Sequence, residues 1–186
     1  MSSDLTQLPD ELPVPVDDGA ADHLRGTAIP ALTLASTLGP LDLAAAAQDR
    51  LVAYVYPRTG VPGEPLPDGW DDIPGARGCT PQSCAFRDAQ THFAARGVRL
   101  VGISAQTPAE QAEFGAREHI LYPLLSDHDL QLADALRLPT FQTSGMTLYK
   151  RLTLVAERGA IVKAFYPVFP PDRNAQDVLA WLDANR

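Results

Sequence analysis

From residue 51 to residue 182 the chain alternates short apolar runs with segments of helical period, and this alternation constrains its fold more than any other feature. Residues 51–56 (LVAYVY) form an unbroken apolar run stopped by Pro57, a buried-strand signal. A helix is expected from about Thr80 to Ala95, stopped by Gly97, and a strand follows over residues 98–104. Thr107-Pro108-Ala109-Glu110 has the form of a capping box with proline at the first helical position. Residues 121–125 read as a strand and 128–137 as a short helix. Residues 152–157 and 161–166 make a hairpin across Arg158-Gly159, and Ala175, Val178, Leu179 and Leu182 share one face of a last helix. Upstream, residues 31–36 and 41–45 read as short strands around the turn at Gly39-Pro40. The order implies an α/β fold: a central mixed sheet with helices on both faces, closed by an antiparallel hairpin.

At 186 residues there is material for one domain. Its body is expected over residues 27–186, preceded by an acidic arm over residues 1–26. The arm holds Asp4, Asp10, Glu11, Asp17, Asp18 and Asp22 against Arg25, has three prolines and little periodicity, and reads as a solvated, partly ordered extension. A formal net charge of −8 repels phosphate backbones and anionic lipid, so neither nucleic acid nor a membrane is an expected partner. No run approaches 18 apolar residues, and the first residues lack a basic stretch followed by an apolar one, so a cytoplasmic setting is expected. In a reducing compartment two cysteines are more often redox-active than structural.

Those cysteines, Cys79 and Cys84, sit where strand 51–56 hands over to a helix, the end of an open α/β sheet where ligands bind. Thr80 can cap the helix with Pro81 at its first turn, which sets Cys79 beside the positive end of the dipole, with Arg77 adjacent. Ionisation alone does not make a fast-reacting thiol. Moving a thiol from about 8.5 to about 6 enriches the thiolate about thirtyfold at pH 7, but the accompanying loss of nucleophilicity gives back roughly tenfold. A site that uses such a thiol also needs a fixed cation and backbone donors for the negative charge that develops on a leaving group. At 100° per residue Cys79 shares the face of Phe86, while Cys84 lies about 140° away. Within a helix their Cα atoms stand roughly 8.5 Å apart, beyond the limit of about 7 Å for a disulfide. A bond between them therefore requires the first turn to unwind.

Other readings of the pair stay open. Free cysteine is a common small buried residue. Zinc would need two more ligands, and His23, His92, His119 and His128 stand singly at no ligand spacing, so no metal is expected. A disulfide reductase would carry C-x-x-C, which is absent.

The stretch Gly78-Cys79-Thr80-Pro81-Gln82-Ser83-Cys84-Ala85-Phe86-Arg87-Asp88 resembles the active-site helix of the peroxiredoxin Q (bacterioferritin comigratory protein) family, and the element order follows that family over roughly residues 28–182. The resemblance implies a thioredoxin fold and reduction of hydrogen peroxide and organic hydroperoxides. Cys79 would be the peroxidatic residue and Cys84 the resolving one, in an atypical two-cysteine cycle through an intramolecular disulfide. It implies thioredoxin or a similar dithiol as reductant and neither metal nor organic cofactor; a monomer is expected rather than a dimer. The family's arginine on a later strand matches Arg151, which opens the apolar run 152–155. Gly78 and Gln82 match positions near the peroxide. Three departures stand out. The family's proline seven residues before the cysteine and its threonine or serine three before it are Asp72 and Ala76 here, and its frequent glutamate three after is Gln82. Pro57 looks like the displaced proline, which leaves residues 58–73 as an inserted loop stiffened by proline and glycine, with Thr59 as a substitute hydroxyl. A thiol-disulfide oxidoreductase on the same fold is the competing enzyme. A redox-sensing binding module using the loop and its Trp70 is the alternative outside catalysis, although Trp70 equally suits a place inside.

Overall fold

The computed structural model describes residues 5–9 and 11–185; Asp4 and Asp10 of the expected arm lie outside the described residues. The elements follow as β1 (Thr33–Ser36), β2 (Leu41–Asp42), α1 (Leu43–Ala46), β3 (Arg50–Val55), α2 (Cys79–Asp88), α3 (Gln90–Ala94), β4 (Val98–Ser104), α4 (Pro108–Arg117), β5 (Leu124–Ser126), α5 (Gln131–Leu136), β6 (Thr140–Thr143), β7 (Met146–Tyr149), β8 (Leu152–Glu157), β9 (Ala160–Phe165) and α6 (Asn174–Ala184). Among the described residues seven strands form one sheet in the order β2-β1-β5-β4-β3-β8-β9, and β6 pairs with β7 apart from it. β3, β4 and β5 run parallel, while β8 lies antiparallel against β3.

β3 shows why the sheet is covered on both faces. Its side chains alternate, so Leu51, Ala53 and Val55 join one apolar layer with Leu24, Val101, Leu132 and Leu154, while Val52 and Tyr54 join the other with Phe86, Phe93, Phe114, Val178 and Leu182. Val55 pairs with Ile103 of β4 on one side and with Leu152 of β8 on the other. The C-terminal end of β3 and the N-terminal end of β8 therefore meet at one edge. The chain leaving β3 towards Cys79 and the residue entering β8, Arg151, are brought together there.

Several elements depart from the sequence expectation. The expected strand 41–45 keeps only its first two residues as β2. Asp42 then accepts from Ala45 N and caps α1, and a run of alanines favours the helix. The expected helix from Thr80 to Ala95 begins one residue earlier and divides at Ala89 into α2 and α3. Alanine carries nothing that signals a break, so the pattern ran through it. Strand 121–125 shifts to β5, leaving Leu121 at 75% exposure. The capping box at Thr107 is present in full.

The arm is not simply solvated. Leu24 is fully buried, Gly26 N donates to Ile161 O, and Asp18 accepts from both Lys150 and Tyr166. The inserted loop contains a turn closed by Glu64 N on Val61 O at 3.1 Å and one short helical turn at Trp70–Asp72. Trp70 packs inward, 4% exposed, with Ala76 and Leu148 and with Phe141 at 6.3 Å.

Candidate active site

α2 starts at Cys79, one residue before Thr80, and its N-cap is Gly78 with φ 97°. The expected cap at Thr80 is thus displaced by two positions, because a glycine in the left-handed region makes the entry that a hydroxyl would otherwise make. Space requires glycine there as well. A Cβ at 78 would stand 2.4 Å from Pro171 Cγ and 2.7 Å from Leu8 Cδ2. Gln82 N closes the first turn on Gly78 O at 3.1 Å. By helix geometry the N–H groups of Cys79 and Thr80 have no intrahelical acceptor, and the positive end of the dipole lies at the sulfur.

Arg151 is 3% exposed and uses its whole guanidinium. Nε donates to Gly75 O at 3.2 Å; Nη2 donates to Ala76 O at 3.1 Å, Arg77 O at 3.0 Å and Cys79 Sγ at 3.2 Å; Nη1 donates to Gln82 Oε1. Among the described residues no carboxylate lies within ion-pair distance of Arg151. A buried cation surrounded only by neutral acceptors is costly unless a negative charge meets it, and the sulfur is where such a charge would form. Gln82 cannot neutralise Arg151 as a glutamate would. Instead its amide oxygen orients the guanidinium while Nε2 donates to Asn174 Oδ1 at 3.0 Å; that oxygen also accepts from Thr153 Oγ1 at 2.6 Å. Arg77 pairs with Asp71, 3.3 Å distant, and contributes its carbonyl to Arg151.

Ala76, where a hydroxyl was expected, is fully buried, and its carbonyl lies 3.6 Å from the thiol. Thr59 does not join this group. Its N–H and hydroxyl both donate to Gln106 Oε1, at 2.9 and 3.1 Å, and no bond links it to Cys79 or Arg151 among the described residues.

Cys84 lies in the same helix on another face. Its thiol donates to Glu118 Oε2 at 3.6 Å, and burial, joined by the Glu118 charge and offset in part by Arg87, pushes it up to about 11. Both cysteines are free. Under α2 an aromatic floor fixes its position. Phe86 stacks on Tyr54 at 4.4 Å, the Tyr54 and Tyr122 hydroxyls are 2.9 Å apart, and Tyr122 donates to Ser83 O at 3.1 Å. Burial raises the phenols of Tyr54, Tyr56 and Tyr122 well above their ordinary value, so they remain neutral donors.

Sequence reasoning thus brought Cys79, Gly78, Gln82 and Arg151 to one place and missed Asn174 and Glu118. Asn174 reads as no more than a residue at a helix start, and Glu118 as one acid among many; only the fold puts them against Gln82 and Cys84.

Known proteins share this arrangement of elements. A family model described as Redoxin matches residues 24–179. The chain is 29% identical over 162 residues to chloroplastic peroxiredoxin Q of Populus jackii, spanning 86% of this chain and 68% of that protein. It is 33% identical over 111 residues to a putative peroxiredoxin of Mycobacterium tuberculosis, spanning 59% of this chain and 61% of the other. Among solved structures it matches peroxidoxin BcpB from Mycobacterium tuberculosis with a TM-score of 0.70 at 28% identity, covering 87% and 97% of the two chains. It matches a cysteine-to-serine mutant of peroxiredoxin Q from Xanthomonas campestris with a TM-score of 0.66 at 25% identity, covering 94% and 98%. The mixed sheet with its flanking helices is the thioredoxin fold of these peroxiredoxins. With a buried guanidinium against a helix-start cysteine and relatives of this kind, the chain belongs to the redoxin family, as a thiol-dependent peroxidase of the peroxiredoxin Q type.

Proposed function

We propose that Cys79 reduces hydrogen peroxide and organic hydroperoxides, and that Cys84 resolves the product in an atypical two-cysteine cycle. The observation that carries this reading is the 3.2 Å contact from Arg151 Nη2 to Cys79 Sγ. The Cys79 thiolate attacks the terminal oxygen of R–O–O–H, the O–O bond breaks, and the sulfur is oxidised to Cys79–SOH. The departing RO⁻ takes a proton from solvent and leaves as ROH. Arg151 and the N–H groups at Cys79 and Thr80 stabilise the charge on that oxygen as it forms.

Resolution needs a second conformation. In α2 the two cysteines stand roughly 8.5 Å apart at Cα by helix geometry, too far to bond. The first turn unwinds, the Cys84 sulfur displaces hydroxide from Cys79–SOH, and the hydroxide leaves as water with the thiol proton. An external dithiol, thioredoxin or a similar protein, then returns both sulfurs to the thiol state while its own pair is oxidised. The chain works as a monomer in a reducing compartment such as the cytoplasm, with no metal or organic cofactor in the cycle.

The test is the second-order rate of peroxide with the fully reduced chain, with mass spectrometry locating the oxidised residue. Cys79→Ser abolishes turnover. Cys84→Ser consumes one equivalent of peroxide and accumulates a sulfenic acid trapped by dimedone. Normal turnover of Cys84→Ser with thioredoxin would sink the two-cysteine cycle.

A further inference from the structure

The N-terminal arm lies on the segment that has to move before Cys79 and Cys84 can meet. Leu8 Cδ2 stands 2.7 Å from the point where a Cβ on Gly78 would be, so this leucine covers the N-cap of α2. Upstream, both Leu5 methyls are 3.1 Å from the corresponding point at Gly60. Downstream, Pro15 is 3.7 Å from that point at Gly75, whose carbonyl accepts from Arg151 Nε. The arm therefore touches the inserted loop, the approach to α2 and the N-cap itself. These contacts all come from residues ahead of the stretch matched by the redoxin model.

The packing of this part of the arm is loose. Residues 11–18 form no helix or strand, and Leu5 and Leu8 are only half-buried. Val14 and Val16 are 62% and 82% exposed, and a cavity of about 280 Å³ is lined by Val14, Pro15 and Val16 together with Ile73, Pro74 and Gly75. Side chains beside a void lose the dispersion contacts of a close-packed interface. The base of the arm is firm by comparison. Asp18 accepts from Lys150 Nζ and from Tyr166 Oη, each at 2.7 Å, and Ala21 and Leu24 belong to the core. The arm can come away as far as Asp18 without disturbing the sheet.

We propose that the arm ahead of Asp18 is a latch that closes on α2 only while its first turn is intact, and that formation of the Cys79–Cys84 disulfide releases it. The inference rests on the two-cysteine cycle proposed above and adds to it a redox-dependent state of the arm. Cys79–SOH and the Cys84 thiol lose water as the S–S bond forms, and the turn that begins at Gly78 must unwind for the sulfurs to meet. Unwinding moves Gly78 away from the position against which Leu8 packs. The coupling is reciprocal: a contact made only with the closed helix holds it closed, and its loss on opening frees the arm. Half-burying a leucine biases such an equilibrium about fivefold, and Leu5 and Pro15 add to that bias. The disulfide state thus presents to water an apolar face of the arm that the thiol state covers.

The experiment exposes the full chain, reduced or oxidised by a single equivalent of hydrogen peroxide, to a glutamate-specific protease. Mass spectrometry reads the rate of cleavage after Glu11, an exposed residue of the arm. The disulfide form is cut about tenfold faster than the thiol form, since cleavage tracks the population of the open arm. In Leu8→Ser the reduced chain is cut about fivefold faster than wild type, which narrows the gap between the two states. The same variant forms the Cys79–Cys84 disulfide several-fold faster after a single equivalent of peroxide, because the closed helix has lost part of its hold. Leu121→Ser, at an exposed leucine outside these contacts, changes neither rate and controls for the loss of a surface leucine. Equal cleavage of the thiol and disulfide forms overturns the proposal, and so does disulfide formation in Leu8→Ser no faster than in the wild type. If peroxide leaves no Cys79–Cys84 bond at all, the two-cysteine cycle itself fails, an outcome distinct from a disulfide that forms while the arm stays protected.

Discussion

The Cys84 thiol donates to Glu118 Oε2 across 3.6 Å, and this contact joins α2 to the end of α4. Arg87 Nη1 donates to Glu118 O at 2.7 Å beside it. The pair keeps Cys84 docked and protonated: burial first, then the Glu118 charge, pushes the thiol up to about 11, with Arg87 offsetting part of the rise. A thiol whose value is raised in the closed helix stabilises the closed form below its ordinary value near 9, and that contribution disappears as pH climbs from there to about 11. Opening of the first turn is therefore favoured at alkaline pH.

Alkylation reports this state. In a Cys79→Ser variant at pH 8, iodoacetamide should modify Cys84 about tenfold more slowly than a model thiol: the thiolate is about a hundredfold scarcer, and its greater nucleophilicity recovers most of one decade. Glu118→Gln should close part of that gap but not all of it, since burial is the larger cause. A Cys84 that reacts like an open thiol in the unmodified chain contradicts the docked state.

Arg151→Lys keeps the charge and loses the fork. Lysine presents three donors from one point and cannot reach Gly75, Ala76, Arg77, Gln82 and Cys79 together. Removing one donor that stabilises developing charge typically costs about a hundredfold to a thousandfold in rate, and the peroxide rate constant should fall within that range. Denaturant midpoints should fall too, because buried carbonyls lose their partners. A rate within threefold of wild type would mean that charge alone suffices.

What the sequence revealed, and what it hid, divides along the range of the interactions. The buried strand β3, the capping box of α4 and the hairpin β8–β9 were legible because each is set by neighbours in the chain. The break at Ala89 was not, since alanine carries no signal for one, and the hairpin β6–β7 was overlooked although the two-residue turn Ser144-Gly145, both at positive φ, marks it locally. At the site, Cys79 and Arg151 were found through a motif and a resemblance. Thr59 was a reasonable candidate by residue type, but Gln106 takes its hydroxyl, and only the path of the inserted loop determines that. The arm looked solvated because its charges dominate its composition, yet Ala21 and Leu24 join the core and Asp18 is held by Lys150 and Tyr166.

Gly78→Ala should be disruptive out of proportion to its size. The residue would have to hold φ near 97° and place a methyl 2.4 Å from Pro171 Cγ. Left-handed strain and overpacking together should remove about 2–4 kcal/mol of stability. The peroxide rate should fall as well, because the N-cap sets the sulfur against Arg151. Urea denaturation followed by far-ultraviolet circular dichroism measures the first effect. A midpoint equal to that of the wild type would show that the entry to α2 is looser than described.

Asn174 is a positioning residue. It is 2% exposed, and its amide oxygen collects donors from Gln82 Nε2 and Thr153 Oγ1. Asn174→Leu keeps the volume but strands both donors, which should destabilise the protein by about 2–3 kcal/mol and slow peroxide oxidation by freeing Gln82 from its hold on Arg151. Asn174→Asp offers an acceptor to the same two donors, and at the first residue of α6 a carboxylate also suits the helix dipole. It should therefore recover most of the stability and rate that the leucine loses. A purely space-filling role predicts the opposite order, with leucine tolerated and aspartate penalised for its buried charge, so comparing the two variants by thermal denaturation and peroxide kinetics decides between them.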